Sequence, residues 1–351
     1  MALKTTCIGA FPKPDCLPAF DWFQADGGPD TAHPTARYAA AIAEMGDDAE
    51  ALFVEAAVRV IADQVEAGID IVTDGEVRRE NYIYYHCRHL DGFDFENLTE
   101  QDVRGGNYTA WLPTVRGPVA AMGPFLPHDW RAAQALTDRP VKVTLPGPMT
   151  IADSVADAHY GDQKSLGADL EQAINAEVLR LAEAGCRHIQ IDEPLFARRI
   201  EDALDYGFDN LERCFHGCPD SVVRTVHMCC GYPDRLDNPD YPKAPKACYF
   251  DLAEAIDRSS IQAVSVEDAH RPNDLSLLEK FTRTTVIFGV VAIAKSRVES
   301  VDELRARLAL ALDHIDAERL IAAPDCGLGI LGRALAVAKL TNMAAAAASL
   351  A

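Results

Sequence analysis

Short runs of apolar residues recur along the chain, and most are bounded by glycine, proline or polar residues. Runs of four to eight residues that are rich in β-branched side chains are typical of buried strands. The pattern predicts strands near residues 5–11, 69–73, 141–145, 188–191, 222–227, 261–266, 285–291 and 320–323.

Segments with the apolar spacing of helices alternate with these strands. Residues 49–67 end before Gly68, and residues 170–184 end before Gly185. A glycine just past the last helical turn is a common helix stop. Further helices are predicted near Leu252, over 275–281, over 301–312 and from Arg333 onward. About eight strand–helix units indicate an α/β fold and, more specifically, a (β/α)8 TIM barrel.

An open, doubly wound sheet is the alternative α/β arrangement. It would place a glycine-rich nucleotide loop after the first strand, and Ile8-Gly9-Ala10-Phe11-Pro12 is not such a loop. The long irregular stretch 93–136 is expected to hold a hairpin or a lid. The sequence contains no evident linker or repeat, so residues 1–351 are expected to form a single catalytic barrel domain.

Composition and charge exclude several classes of protein. A chain of 351 residues with 48% hydrophobic content can bury a large core. No apolar run approaches membrane-spanning length and the N-terminus lacks a signal pattern, so a cytoplasmic location is expected. A net charge of -21 argues against nucleic acid or an anionic membrane as partner. The ten irregularly spaced cysteines are expected to be thiols rather than a disulfide framework.

Side chains of the kinds that bind metal follow three of the predicted strands. His227 and Cys229 follow the fifth, Glu267 follows the sixth and Cys326 follows the eighth. A buried cysteine or histidine is commonly structural when it stands alone. Strand ends meet at one face of a barrel, however, and imidazole, thiolate and carboxylate are the usual ligands of Zn²⁺. The pattern therefore predicts one Zn²⁺ site, and its spread over three strands favours a reacting metal over a structural one.

The other cysteines are interpreted differently. His227 and Cys229 are two positions apart and would point to the same side of an extended chain, whereas Cys230 would face the opposite side. The remaining cysteines are not grouped with other metal-binding residue types and are interpreted as packing residues: Cys7, Cys16, Cys87, Cys186, Cys214, Cys218 and Cys248.

Carboxylates follow two further strands. Glu76 lies in Asp74-Gly75-Glu76, and Asp192 opens Asp192-Glu193-Pro194. We interpret Glu76 and Asp192 as candidate substrate-binding groups for an ammonium; helix capping or pairing with nearby arginines is the alternative. A zinc with two thiolates and a carboxylate is a poor Lewis acid, but it can bind a substrate thiol and keep its sulfur nucleophilic. That sulfur would then attack an alkyl carbon of a second substrate.

An ordered set of motifs across nearly the whole chain resembles the catalytic C-terminal barrel of the cobalamin-independent methionine synthase family. The matching stretches are Ile8-Gly9-Ala10-Phe11-Pro12, Asp74-Gly75-Glu76 with Arg79, Leu145-Pro146-Gly147-Pro148-Met149-Thr150, Gln190-Ile191-Asp192-Glu193-Pro194, His227-Met228-Cys229, Ser265-Val266-Glu267, Pro324-Asp325-Cys326-Gly327-Leu328 and Asn342-Met343. In that family a histidine, two cysteines and a glutamate bind a zinc that activates homocysteine. The resemblance implies the same roles here, with His227, Cys229, Glu267 and Cys326 on zinc and Glu76 and Asp192 on homocysteine.

The chain departs from the family pattern in three respects. Full-length members carry an additional N-terminal barrel, for which 351 residues leave no room. Ala10 stands where the family has a serine, and Ala292 and Ala294 stand at about the positions of an aspartate and a histidine. That histidine helps to protonate the folate amine as it leaves, which an alanine cannot do. The donor is therefore left open among a folate, a methylated corrinoid protein and another activated methyl compound, with His270 and Lys295 as candidate replacement acids.

The sequence thus predicts a zinc-dependent thiol methyltransferase, most simply one that methylates homocysteine to methionine. One alternative is a zinc-dependent alkyltransferase that opens an epoxide with coenzyme M and needs no ammonium site. Another is a metal-free enzyme related to uroporphyrinogen decarboxylase. Such an enzyme is expected to have arginines near the first strand to bind porphyrin carboxylates, yet no arginine precedes Arg37. A zinc-stabilised scaffold without activity is the third.

Overall fold

The computed structural model describes residues 2–19, 21, 23, 34–103, 108–233, 235–238 and 241–350. The strands are β1 (Lys4–Thr5), β2 (Val72–Thr73), β3 (Leu90–Val103), β4 (Tyr108–Ala121), β5 (Val141–Pro146), β6 (Ala156–Asp157), β7 (His188–Asp192), β8 (Val223–Met228), β9 (Ala263–Val266), β10 (Thr285–Val291) and β11 (Leu320–Pro324). The helices are α1 (Pro34–Met45), α2 (Ala49–Glu66), α3 (Tyr82–Cys87), α4 (Leu126–Gln134), α5 (Pro148–Ser154), α6 (Gln163–Ala184), α7 (Ile200–Asp202), α8 (Phe208–Cys214), α9 (Cys248–Arg258), α10 (Val301–Leu312) and α11 (Arg333–Ala348).

A parallel sheet of eight strands forms the centre of the molecule, in the order β1-β11-β10-β9-β8-β7-β5-β2. A parallel bridge between Thr6 and Ile71 joins its two ends and closes the sheet. Asp70 strengthens this seam, because its Oδ2 accepts hydrogen bonds from the backbone N of Thr5 at 3.0 Å and from Thr5 Oγ1 at 3.1 Å. The predicted (β/α)8 barrel is confirmed.

Local sequence signals set the ends of several helices. The side chain of Asp162 accepts a hydrogen bond from the N–H of Ser165 at the start of α6, and Gly185 ends that helix with φ 111°. Ser300 and Glu303 form a reciprocal capping box at the start of α10. Such caps satisfy backbone groups that have no partner within the helix, which is why these sequence positions mark the boundaries.

Two predicted elements differ from the observed ones. The segment predicted as a helix over 275–281 is a 3-10 helix, Leu275–Lys280. Its six residues are enough to bury Leu277 and Leu278, but they are too few for an amphipathic α-helix. The first strand, predicted over 5–11, is confined to Lys4–Thr5 and the bridge at Thr6. The chain then leaves the ladder, and the backbone N of Phe11 donates to Gly75 O instead.

The long insertion after α3 contains a hairpin, as predicted. Strands β3 and β4 pair antiparallel, and β6 adds to β4 in parallel. The register shifts near Gly92, which has φ 90° and no room for a side chain, because a Cβ there would lie 2.7 Å from Pro118 O. The hairpin packs beside α6, and the backbone N of Val119 donates to the hydroxyl of Tyr160, which lies just before that helix.

Apolar side chains pack in two layers. The larger one fills the space between the barrel and its surrounding helices, and it includes Val60, Ile189, Leu252 and Leu340. A small cluster of Ile8, Ala263, Ile287 and Ala323 forms a separate core. Within the described ranges, none of the helices is both long enough and apolar enough to cross a membrane.

Candidate metal centre

Three of the predicted ligands converge at the carboxyl ends of β8 and β11. His227 is the fifth residue of β8, Cys229 follows that strand, and Cys326 lies two residues beyond β11. Their candidate donor atoms all lie within 4.8 Å of one another. The Nε2 atom of His227 is 3.3 Å from the Sγ atom of Cys326. An imidazole and two thiols at this spacing are a donor set that suits Zn²⁺.

The imidazole of His227 is oriented by a neighbouring strand. Its Nδ1 atom lies 2.9 Å from the hydroxyl oxygen of Ser265 on β9, and both residues are buried. A hydroxyl that accepts a hydrogen bond from Nδ1–H leaves the lone pair of Nε2 directed at the two sulfurs. Partners of this kind, outside the ligand set, commonly fix the ring of a metal-binding histidine.

The two thiols differ strongly in acidity. A hydrogen bond from Cys326, helped by the nearby His227, holds the pKa of Cys229 well below its ordinary value. The same hydrogen bond raises the pKa of Cys326 well above its ordinary value, because loss of that proton would leave two adjacent negative sulfurs. The pair therefore favours one thiolate, and a cation between the sulfurs would favour two.

Glu267 belongs to a second, adjacent cluster with His270 and Asp325. Its Oε2 atom accepts a hydrogen bond from the backbone N of Cys230 at 3.0 Å, whereas its Oε1 atom is buried without a hydrogen-bond partner in the described residues. Burial, with Asp325 as the next cause, raises the pKa of Glu267 to about 9. A buried carboxylate oxygen without a hydrogen-bond partner is suited to bind a cation.

Contacts with Gly9, Thr144 and Arg79 fix the buried carboxylate of Glu76. Its Oε1 atom accepts a hydrogen bond from Thr144 Oγ1 at 2.7 Å, and Arg79 lies 3.5 Å away. Its backbone has φ 56°, a strained value for a residue with a side chain. A Cβ at Gly9 would lie 2.6 Å from Oε1, so the absence of a side chain at Gly9 makes room for the carboxylate. Burial raises the pKa of Glu76.

Asp192 ends β7 and is oriented from within the barrel. Gln190 donates one hydrogen bond to Asp192 Oδ1 at 2.7 Å and another to Ile8 O at 3.1 Å. The buried Lys142 donates to the neighbouring carbonyl, Cys7 O, at 2.5 Å. Burial raises the pKa of Asp192 to about 7, and the negative charge of Glu76 adds to the rise.

A cavity of about 100 Å³ connects these groups. The predicted residues that line it are Glu76, Asp192, His227, Cys229 and Cys326. Glu267, the remaining predicted ligand, is not among the residues that line it. Sequence reasoning missed four further lining side chains, which are Phe23, Tyr82, Arg198 and Tyr232. The sequence signal for Arg198 was its place in the turn that follows Asp192, since such turns line the open face of a barrel.

The two candidate replacement acids do not reach this cavity. The Nε2 atom of His270 accepts a hydrogen bond from the backbone N of Ala294 at 2.9 Å, and its Nδ1 atom lies 2.7 Å from Asp325 Oδ2. That short contact is poorly aligned for a hydrogen bond, but it pairs the ring with a carboxylate. Lys295 is exposed. Ala292 and Ala294 are buried and carry no acidic group.

Cys230 is not among the residues that line the cavity. Its Sγ atom lies 3.8 Å from the Sγ atom of Cys248, so Cys248 has a thiol neighbour that the sequence did not indicate. Both residues are buried and free. The other cysteines interpreted as packing residues are also free thiols, and most of them are buried.

Comparison with known proteins places the whole chain among similar catalytic barrels. Residues 3–207 and 244–349 match the family model for the catalytic domain of cobalamin-independent synthase. The chain is 29% identical to a methionine synthase of Sulfolobus acidocaldarius, with 97% of this chain and 90% of the relative aligned. It is 30% identical to one of Saccharolobus solfataricus, over 97% of this chain and 92% of the relative.

A solved structure supports the same assignment. A B12-independent methionine synthase from Shewanella sp. W3-18-1, in complex with selenomethionine, superposes with a TM-score of 0.86 and 28% identity. The superposition covers 100% of this chain and 98% of that one. The fold, the match over both halves of the barrel and these full-length similarities agree, and the chain therefore belongs to the cobalamin-independent methionine synthase family.

Proposed function

We propose that this protein is a zinc-dependent methyltransferase that transfers a methyl group to the thiol of homocysteine. The observation that carries the proposal is a single cavity lined by His227, Cys229, Cys326, Glu76 and Asp192. It joins sulfur and nitrogen donors for a metal to two buried carboxylates. Relatives named methionine synthase, aligned over nearly their whole length, support the same reaction.

One set of side chains is proposed to bind the metal and another to bind the substrate. His227, Cys229 and Cys326 would hold the zinc. Glu267 is the proposed fourth ligand because its Oε1 atom is buried without a hydrogen-bond partner in the described residues, with His270 Nδ1 3.7 Å away. When bound, a zinc in such a site lowers the pKa of an incoming thiol and keeps its sulfur nucleophilic. Glu76 and Asp192 would bind the ammonium of the amino acid and so orient its sulfur toward the methyl donor.

We infer that the methyl donor is one whose leaving group departs without a proton. Among the described residues that line the cavity there is no lysine, and His227 is the only histidine. Asp192, whose pKa is raised to about 7, also lines it, but we assign this carboxyl group to the substrate ammonium. His270 is engaged by Ala294 and Asp325, and Lys295 is exposed. A methylated corrinoid or a methyl sulfonium compound fits this lining better than methyltetrahydrofolate, whose amine needs an acid.

The geometry weighs against the other candidate functions. Convergent thiols with a shared proton support a metal-dependent reaction over a metal-free decarboxylase. A donor cluster that opens onto a cavity supports a reacting metal over a closed structural one. Two buried carboxylates beside that cluster support an amino-acid thiol over coenzyme M, which has no ammonium group.

The deciding experiment is methionine formation by the zinc-loaded protein from homocysteine and separate donors. We expect product with methylcobalamin or a methyl sulfonium compound and little or none with methyltetrahydrofolate. Cys326→Ser should abolish both zinc binding and product, whereas Cys16→Ser, outside the cluster, should leave both intact. Full activity in protein that contains no zinc and binds none would refute the proposed function.

A second measurement separates homocysteine from a thiol without an amino group. Glu76→Gln keeps the shape of the side chain but removes its charge, so homocysteine should bind more weakly while coenzyme M is unaffected. Equal affinity of the wild-type protein and Glu76→Gln for homocysteine would favour the coenzyme M type of reaction.

A further inference from the structure

The charges that line the cavity are unbalanced. Glu76 and Asp192 are carboxylates, and the cysteines add further negative charge when they bind a metal. Among the described residues that line the cavity, Arg198 is the sole lysine or arginine. A zwitterionic amino acid carries a carboxylate as well as an ammonium, so two acidic side chains account for only one of its two charged groups.

Backbone hydrogen bonds fix the chain around Arg198, whereas its guanidinium is unpaired within the described residues. The N–H of Arg198 donates to Leu195 O at 3.0 Å, and the N–H of Arg199 donates to the same oxygen at 2.8 Å. No ion pair or side-chain hydrogen bond joins Arg198 to any other residue in the described part of the chain. Arg199 differs, because its guanidinium donates to Asp202 at 2.7 Å and to Gln163 at 2.9 Å.

Arg198 is exposed to solvent, and its side chain lines the cavity together with Tyr82, Cys229 and Cys326. Burial raises the pKa of Tyr82, and Arg198 opposes that rise. An exposed guanidinium at the wall of the cavity is accessible to a ligand that enters it.

We propose that Arg198 binds the α-carboxylate of the amino-acid substrate. A guanidinium offers two parallel N–H donors that match a carboxylate, and this geometry gives both affinity and orientation. A serine at position 10 could donate a hydrogen bond to the substrate, but Ala10, which also lines the cavity, has no hydroxyl. Arg198 would then supply the missing contact. The ammonium at Glu76 and Asp192, the sulfur at the metal and the carboxylate at Arg198 would fix the substrate at three points. This inference rests on the proposed function.

The test measures binding to the zinc-loaded protein by calorimetry, without a methyl donor. The ligands are homocysteine and 3-aminopropane-1-thiol, which is homocysteine without its carboxylate. Arg198→Gln should weaken homocysteine binding roughly 10- to 100-fold, the usual effect of losing a charged hydrogen bond, and leave the analogue unchanged. Arg198→Lys should fall between, since lysine keeps the charge but not the paired donors. Arg199→Gln is the matched control and should bind both ligands as the wild type does.

Other outcomes overturn the inference in distinguishable ways. Unchanged homocysteine affinity in Arg198→Gln, or equal weakening of both thiols, would show that Arg198 does not bind the carboxylate. Unchanged homocysteine affinity together with a raised KM for the donor would assign Arg198 to the donor instead. If the wild-type protein binds no homocysteine, the proposed function itself fails. Thermal unfolding of each variant distinguishes a lost contact from a lost fold.

Discussion

Ser265 shows how one hydroxyl prepares a site that it does not line. It stands on β9, one strand away from the histidine that it orients, and its hydroxyl oxygen lies 2.9 Å from His227 Nδ1. The cross-strand register pairs these two residues directly. The direction of the imidazole is therefore set by the sheet before any metal arrives, which reduces the rearrangement that binding requires.

Removal of that hydroxyl should weaken metal binding without unfolding the barrel. We expect Ser265→Ala to lower zinc affinity about 10- to 100-fold, as is usual when the partner of a ligand histidine is lost. Competition with a chromophoric chelator measures the change. Ser260→Ala, at an exposed serine before β9, is the control and should bind zinc normally. An affinity within twofold of the wild type would mean that the imidazole is oriented by other contacts.

Residue types predicted most of the site, but not its detail. Histidine and cysteine at strand ends indicated the cluster of His227, Cys229 and Cys326, because parallel strands bring their carboxyl ends together. The position of the Glu267 carboxylate could not be foreseen, since it depends on a backbone N–H from Cys230 and on the neighbours His270 and Asp325. Its role as a zinc ligand stays a prediction.

Asp257 joins two elements on the outer side of the barrel. It lies in α9, and its carboxylate accepts hydrogen bonds from the side chain of Thr282 at 2.6 Å and from the backbone N atoms of Arg283 and Thr284, each at 3.0 Å. Thr284 immediately precedes β10. Burial pushes the pKa of Asp257 upward, but these hydrogen bonds outweigh it and hold the pKa well below its ordinary value.

Asp257→Asn should therefore destabilise the protein in a pH-dependent way. Because the folded pKa lies below the unfolded one, the carboxylate contributes stability above about pH 4, and that contribution is lost as the pH falls further. We expect a loss of about 2 kcal/mol in the free energy of unfolding at pH 7, and a smaller difference from the wild type near pH 3. Urea unfolding at the two pH values measures it. Asp251→Asn, exposed on the same helix, should change stability by less than about 0.5 kcal/mol.

Regular elements were more predictable than the connections between them. Runs such as 285–291 are apolar throughout because both faces of a parallel barrel strand are covered, and β10 has the predicted bounds. The connections carry no periodic signal. Tyr82 and Arg198 reach the cavity from segments that follow strands, and their side-chain directions depend on turns such as 193–199 rather than on spacing.

The barrel as a whole is expected to fold without its metal. Its main apolar core includes residues of every barrel strand except the two-residue β1 and of most helices, and the candidate ligands stand at the carboxyl ends of the strands, at the margin of that core. Removal of zinc by a chelator should lower the midpoint of thermal unfolding but leave the transition cooperative. Zinc adds to the stability of the folded state only the free energy of its own binding. At a free zinc concentration roughly a thousand times its Kd, that stabilisation is about 4 kcal/mol.

Thermal unfolding followed by circular dichroism, with and without chelator, measures this effect. Cys326→Ser should unfold at nearly the same temperature in both conditions, since it has little affinity for zinc to lose. A chelated wild-type protein without a cooperative transition at any temperature would instead identify the metal as structural.

The separation of the candidate donors along the chain has a consequence for biosynthesis. His227 and Cys326 stand 99 positions apart, with β9 and β10 between them in the sheet. A nascent chain that includes His227 and Cys229 but not yet Cys326 has only part of the donor set. We therefore expect the complete set of donors to form only once the eighth strand has docked, late in folding.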